Sequence, residues 1–207
     1  MGDMNVPLPL LASLLFSMIG PIALLPSFAT VTATAAPPLR ARIALLAALV
    51  ALGTLAIAAF VGAGVMQSAG TSRSALIIAA GIILSITALR NIFGTAAPAK
   101  TAVDEPNIGL ALMPIAIPGI VTPMGVAIVI LFASYFPDFV DRLAIVGVIA
   151  AIMAANYAAM RVSHWFMRVI GAVPLLILGA IFGVLQAAMG IEMIMSGLKL
   201  SGLILAR

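Results

Sequence analysis

The stretch from Met113 to Gly125 constrains this chain more than any other feature. It lies in a run without charged residues, from about residue 107 to 137, and it contains Pro114, Pro118 and Pro123. Each proline removes one backbone donor and disfavours helical geometry in the residue before it. Inside a membrane, the carbonyls freed in this way must be satisfied by protein, water or a ligand. The stretch therefore predicts either a kinked membrane helix or a discontinuous helix whose exposed backbone binds something.

A second proline-containing stretch, Gly20 to Phe28, favours the discontinuous helix. It contains Pro21 and Pro26, and Pro21 precedes Pro123 by 102 residues. Three further pairs share this offset: Arg40 with Arg142, Gly81 with Gly183, and Arg90 with Glu192. Interrupted helices at corresponding positions of two halves are typical of transporters built from inverted repeats. We therefore predict a 3+3 inverted repeat in which proline breaks the first and fourth transmembrane helices.

The composition indicates a membrane protein. Hydrophobic residues make up 64% of the 207 residues and charged residues 8%, whereas soluble proteins average about 25% charged residues. Several uncharged runs are long enough to span a bilayer, so we predict an all-α polytopic protein with six transmembrane helices in the lipid bilayer. We expect one transmembrane domain over residues 1–207, with repeat halves at about 1–94 and 108–207 and a connector at about 95–107.

The predicted spans follow the apolar runs. Their approximate limits are residues 8–32, 43–66, 75–93, 108–134 and 143–160, followed by a sixth span with two registers. The sixth span runs either from about 167 to 191, which leaves Glu192 at the membrane boundary, or from about 174 to 198, which places it in the hydrocarbon. Because an intramembrane carboxylate indicates a functional site, Glu192 is a candidate proton or polar site. Asn156 is a second candidate polar site, although an amide in an apolar span typically bonds a neighbouring helix.

Residues 161–173 resemble a short interfacial helix. Arg161, His164 and Arg168 recur there at helical spacing beside Trp165, and basic and aromatic residues of this kind anchor helices at the membrane surface. This interpretation makes His164 an interface residue rather than a catalytic base. With no cysteine and one histidine, we expect no metal site. Since the apolar spans carry no nucleophile–base constellation, we also expect no enzyme activity and no cofactor.

The basic residues are scattered between the apolar runs, which argues against a nucleic-acid partner despite the net charge of +4. The first, third and fifth connectors carry six of them: Arg40, Arg42, Arg90, Lys100, Arg161 and Arg168. The opposite side carries four: Arg73, Arg142, Lys199 and Arg207. Because cytoplasmic loops carry the excess of basic residues, we predict that both termini lie outside the cytoplasm.

Three segments, spread along nearly the whole chain, form a set of motifs. They are Gly20-Pro21-Ile22-Ala23-Leu24-Leu25-Pro26-Ser27-Phe28, the segment from Pro114 to Met124, and Gly183 to Gly190 followed by Ile191, Glu192 and Gly197. In this order they resemble the patterns Asn-Pro-Ile-Gly-x-x-Pro-x-Phe, Pro-Leu-Ala-Ile-Pro-x-x-x-Gly-Pro-Gly, and Gly-x-x-x-x-x-x-Gly-Ile-Gln-x-x-x-x-Gly. These patterns are those of the MarC family of bacterial inner-membrane proteins, within the LysE-type exporter superfamily.

The resemblance implies a location in the bacterial inner membrane and, through the superfamily, export of small solutes. It also favours the later register of the sixth span. The departures from the family patterns that bear on function are these: Gly20 replaces an asparagine, Ala23, Thr122 and Met124 replace glycines, and Glu192 replaces a glutamine. These departures leave open a different substrate or an inactive protein.

The favoured function is a secondary transporter or exporter of an unidentified small solute. Its site would lie at mid-membrane between the two breaks, where exposed amides favour an anionic or zwitterionic group. The candidate binding residues belong to the two breaks: Gly20, Pro21, Pro26, Pro114, Pro118, Thr122, Pro123 and Gly125. The alternative is a non-transporting scaffold or accessory protein of the same membrane, in which the prolines only kink their helices. A homo-oligomer is compatible with either function.

Overall fold

The computed structural model describes residues 8–93, 106–170 and 172–203, and in these ranges every regular element is helical. Seven α-helices follow one another: α1 (Leu8–Ile19), α2 (Pro21–Val31), α3 (Pro37–Ser68), α4 (Arg73–Ile92), α5 (Pro123–Tyr135), α6 (Phe139–Ile170) and α7 (Ala172–Leu200). Between α4 and α5, a short turn of helix at Ile108–Ala111 leads into an irregular helical segment at Leu112–Ile120. We call Ile108–Ile120 the broken segment. Most of the predicted connector lies outside the described residues.

The first predicted span is broken at one point only. α1 ends at Ile19, Gly20 is extended with φ −74° and ψ 166°, and Pro21 begins α2. Proline suits this first helical position because its missing amide would have no partner there. Pro26 lies inside α2, which continues through it, so the predicted interruption at Pro26 is wrong. The hydrogen bond lost there falls near the start of the helix, and buried neighbours such as Phe28 hold the helix in place.

The fourth predicted span is discontinuous at each of its prolines. Met113 and Ile117, which precede Pro114 and Pro118, have extended backbone angles inside the broken segment. Thr122 is extended as well, and Pro123 begins α5. This is the conformation that a following proline imposes. The structure therefore contains a broken helix here rather than a kinked one.

Three helices, α3, α4 and α6, are each long and apolar enough to cross a membrane. α6 is one 32-residue helix from Phe139 to Ile170, so the separate interfacial helix predicted at residues 161–173 is wrong. Its last part stays in the bundle, since Met160 and Ser163 are buried. α7 follows the later register, which places Glu192 inside the helix. The two broken elements and four continuous helices correspond to the six predicted spans, and the number of membrane crossings stays a prediction.

The helices pack in the pattern that a two-fold relation between the halves requires. α3 packs against α6, and α4 packs against α7 over the most extensive contact in the structure. α1 and α2 lie on α6, while α5 and the broken segment lie on α3. Each contact between an element of the first half and one of the second therefore has a counterpart, made by the equivalent elements of the opposite halves. This exchange is the arrangement expected of the predicted repeat.

In the contact between α4 and α7, equivalent residues of the two halves make equivalent contacts. A Cβ atom added to Gly81 would lie 2.8 Å from Cγ1 of Ile194, and one added to Gly183 would lie 2.9 Å from Cγ1 of Ile92. Gly183 and Ile194 follow Gly81 and Ile92 by 102 residues each, so the two contacts are one contact repeated. The helices run antiparallel, since early residues of α4 face late residues of α7. Glycines let the two backbones approach closely.

Candidate functional site

The breaks in the two halves lie side by side. Ile19 is the last residue of α1, and Gly125 is in the first turn of α5. A Cβ atom added to Gly125 would lie 3.1 Å from Cγ2 of Ile19. On the broken segment, Gly119 lies against Leu24 of α2, whose Cδ1 is 4.0 Å from the corresponding Cβ position. The two breaks therefore meet, as the repeat predicts.

A cavity of about 90 Å³ lies between α2 and the broken segment. Its lining comes from the first break, one face of α2, and the broken segment: Ile19, Gly20, Leu24, Ser27, Phe28, Val31, Pro114, Ile115, Gly119 and Ile120. The lining contains two of the predicted site residues, Gly20 and Pro114. The structure thus places a cavity where the sequence predicts a binding site.

The other predicted residues shape the site without lining this cavity. Pro21 is the first residue of α2, and Pro123 is the first residue of α5. Thr122 caps α5, because its Oγ1 accepts a 3.0 Å hydrogen bond from the amide of Gly125. Pro118 lies in the broken segment, and Pro26 is partly buried within α2. Pro21 and Pro123 therefore fix where the half-helices α2 and α5 begin.

Several cavity residues were not predicted from the sequence. Leu24, Ser27, Phe28 and Val31 follow Gly20 at helical spacing and form one face of α2. That spacing was the available signal, since residues three and four apart share a helix face. Ile115 and Gly119 have no such signal, because the irregular backbone of the broken segment decides which of its residues face the cavity.

The cavity offers backbone dipoles rather than charged side chains. None of its described lining residues is charged. α2 begins at Gly20 without a side-chain cap, whereas α5 has Thr122 as its cap. The uncapped start of α2 carries the partial positive charge of a helix N-terminus. The polar side chain in the lining is Ser27, which is exposed.

Asn156 of α6 forms a hydrogen bond to the backbone at the first break. Its side chain is fully buried, and Nδ2 donates a 2.7 Å hydrogen bond to the backbone carbonyl of Ile19. Because only the NH₂ group can donate to that carbonyl, the bond fixes the orientation of the amide. Oδ1 is buried and has no hydrogen-bond partner among the described residues. The predicted contact with a neighbouring helix is confirmed, and the role of Asn156 as a polar site stays a prediction.

His164 lies in the bundle rather than in a separate surface helix. Its Nε2 is 3.0 Å from Oγ1 of Thr32. Thr32 is fully buried, and its hydroxyl donates a 2.7 Å hydrogen bond to the carbonyl of Phe28. Since that hydroxyl has one proton, the histidine ring nitrogen donates to it. The contact ties the end of α6 to the end of α2, beyond the cavity-lining Phe28.

Glu192 is not part of the cavity. It is exposed on α7 and does not occur in the cavity lining. The structure therefore separates it from the breaks, although the sequence suggested both as functional positions. Its role as a proton site stays a prediction.

The fold and the paired breaks define a class of protein: an all-helical membrane protein with discontinuous helices. The chain matches the MarC family of integral membrane proteins over residues 8–201, and it belongs to that family.

In three relatives, about a quarter of the aligned residues are identical. The UPF0056 membrane protein YhcE of Escherichia coli K12 is 26% identical over 89% of this chain and 88% of its own length. A UPF0056 membrane protein of Pyrococcus abyssi is 27% identical over 89% of this chain and 90% of its own length. The UPF0056 inner membrane protein MarC of Salmonella typhimurium is 26% identical over 76% of this chain and 78% of its own length. No solved structure matches the chain significantly.

Proposed function

We propose that this protein is a secondary transporter of a small solute in the bacterial plasma membrane, with its binding site between the two helix breaks. The observation that carries this proposal is the cavity between α2 and the broken segment, at the point where the breaks meet. Discontinuous helices at the interface of two repeats form the sites of many secondary transporters. A site at this interface can be reached from either side when one half rocks against the other.

An asymmetry between the halves supports alternating access. Ser27 lines the cavity and is exposed. Val129 occupies the same position of the second repeat, 102 residues later, and is fully buried. This position is thus exposed on α2, whereas the equivalent position on α5 is buried. A transporter in which the halves exchange conformations would open the Val129 side and bury Ser27 in its other state.

The cavity suggests a small solute with a negatively charged or strongly accepting group. Its volume of about 90 Å³ is below the roughly 150 Å³ of a protein cavity that admits benzene. The uncapped amides at the start of α2 would donate to an anionic oxygen. The apolar remainder of the lining, Leu24, Phe28 and Ile115 among others, would contact a short hydrocarbon portion. Small carboxylates and small amino acids have this chemistry.

The test is solute flux into liposomes that contain the purified protein. The panel comprises radiolabelled C2–C4 carboxylates and amino acids, with protein-free liposomes as the baseline. Ser27→Phe would fill the cavity and reduce flux of any transported solute at least about tenfold. Thr87→Phe is the matched control, since Thr87 is exposed on α4 and lies outside the cavity. Equal flux in both variants would contradict a site in this cavity, and flux at the baseline for the whole panel would favour a scaffold.

A further inference from the structure

Glu192 lies deep in the membrane region of the protein. Gly81 of α4 contacts both Gly190 and Ile194 of α7, so Glu192, which lies between them in sequence, is level with Gly81. Gly81 is nearly midway between Arg73 and Arg90, roughly 12 to 14 Å from each along the helix axis. The hydrocarbon core of a bilayer is about 30 Å thick. With Arg73 and Arg90 at the two membrane interfaces, where the predicted third span places them, Glu192 is well inside it.

The side chain points away from the bundle. Gly183, Gly190 and Gly197 mark the face of α7 that contacts α4, and Met189 and Met193 mark the face that packs on the core. Glu192 lies on the remaining face, among exposed residues: Ile181, Leu185, Ala188, Ile191, Met195 and Ser196. This outer surface, centred on Glu192, faces lipid in a single copy of the chain.

Glu192 has no hydrogen bond or ion pair with any described residue. A carboxylate inside the hydrocarbon is strongly unfavourable, and a neutral carboxyl there still needs hydrogen-bond partners. The side chain is too short to extend to the interface as lysine and arginine do. A polar group in this position therefore requires a partner that covers the outer face of α7.

We propose that the partner is a second copy of this chain, packed through the face of α7 formed by Ala188, Glu192 and Ser196. Two copies in one membrane have the same orientation, so their α7 helices would run parallel about a two-fold axis normal to the membrane. Identical residues then meet at the same depth, and the two Glu192 carboxyls face each other. A hydrogen bond between the two carboxyl groups gives each the partner it lacks.

The residues beside Glu192 suit this contact. Ala188 and Ser196 lie one turn before and one turn after it, and all three are exposed. Small residues on both sides of the carboxyl group let the two helices approach closely there. A different protein would have to supply its own polar group at this depth, whereas a second copy supplies it by symmetry.

The first experiment is cross-linking of single cysteines, which the cysteine-free chain permits without other changes. In native membranes treated with a copper oxidant, Ala188→Cys should form a disulfide-linked dimer. Ala154→Cys is the matched control, because Ala154 is also an exposed alanine in a long helix, α6. We expect Ala188→Cys to cross-link at least about tenfold faster than Ala154→Cys. Equal rates, or no dimer from either, would overturn the proposal.

The second experiment asks whether Glu192 holds the dimer. Wild type, Glu192→Gln and Glu192→Leu are compared by single-molecule photobleaching of labelled protein at increasing dilution in liposomes. The glutamine variant retains a donor and an acceptor and should dimerise within about threefold of wild type. The leucine variant suits a lipid-facing position, so it should fold but dimerise about tenfold more weakly. A monomeric wild type, or unchanged dimerisation in Glu192→Leu, would refute the assignment.

Discussion

The side-chain amide of Asn156 donates a 2.7 Å hydrogen bond to the backbone carbonyl of Ile19, the last residue before the first helix break. A carbonyl at the end of α1 has no amide of its own helix to accept from. The buried amide of α6 replaces that missing donor. The break is thus built into the fold by a residue more than a hundred positions away in the chain.

Replacement of Asn156 by leucine should destabilise the protein by about 1–3 kcal/mol, because it leaves the Ile19 carbonyl buried without a donor. Thr54→Val is the matched control. Thr54 occupies the corresponding position of the first half, and its hydroxyl donates to a carbonyl of its own helix, that of Val50 in α3. The measurement is unfolding of both variants by denaturant in mild detergent. Losses of equal size would show that the Asn156 bond does not stabilise the break.

Substitution of Gly81 by alanine should weaken the contact between α4 and α7. A Cβ atom at Gly81 would lie 2.6 Å from the carbonyl oxygen of Gly190, so the backbones must separate. Overpacking of this kind costs about 1–3 kcal/mol. Gly53→Ala has nothing within 4 Å and should instead stabilise α3 by up to about 1 kcal/mol. Thermal unfolding of the two variants should therefore shift in opposite directions, and a shift in the same direction would contradict the described packing.

The orientation in the membrane can be tested with single cysteines at Gln67 and Thr101. The contact of His164 with Thr32 and that of Arg73 with the carbonyl of Ser134 join elements at opposite ends of the bundle. The first contact lies beside the first and fifth predicted connectors, and the second lies beside the second and fourth. A membrane-impermeant maleimide added to intact cells should label Gln67→Cys and leave Thr101→Cys unmodified. The reverse pattern would show that both termini are cytoplasmic.

The sequence predicted the breaks because proline acts locally. Gly20, Met113, Ile117 and Thr122 each precede a proline, and each is extended. The rule fails at Pro26, where Leu24, Leu25 and Phe28 are buried and packing maintains the helix. For residues 161–170, which contain no proline, the prediction relied on the basic and aromatic pattern, and the separate surface helix that this pattern suggested is wrong.

The residues that line the cavity could not all be predicted from the local sequence, because contacts between distant segments decide which of them face it. The choice of Ile115 and Gly119 as lining residues follows from how the broken segment packs against α2. The support of the break by Asn156 follows from contact between α6 and α1. Composition and spacing identified Asn156 as unusual but could not identify its partner. Contacts of this kind depend on how the two halves pack against each other, which the sequence alone did not predict.

The central claim is that the two halves form one site with alternating access, and paired cysteine accessibility tests it most directly. Ser27→Cys and Val129→Cys occupy equivalent positions, one exposed and one buried. Each is labelled in proteoliposomes with a water-soluble maleimide, with and without a solute that the flux screen identifies. We predict that Ser27→Cys reacts readily at rest, and that the solute changes the two labelling rates in opposite directions by at least about threefold. Rates that are both unaffected by a transported solute would contradict the account.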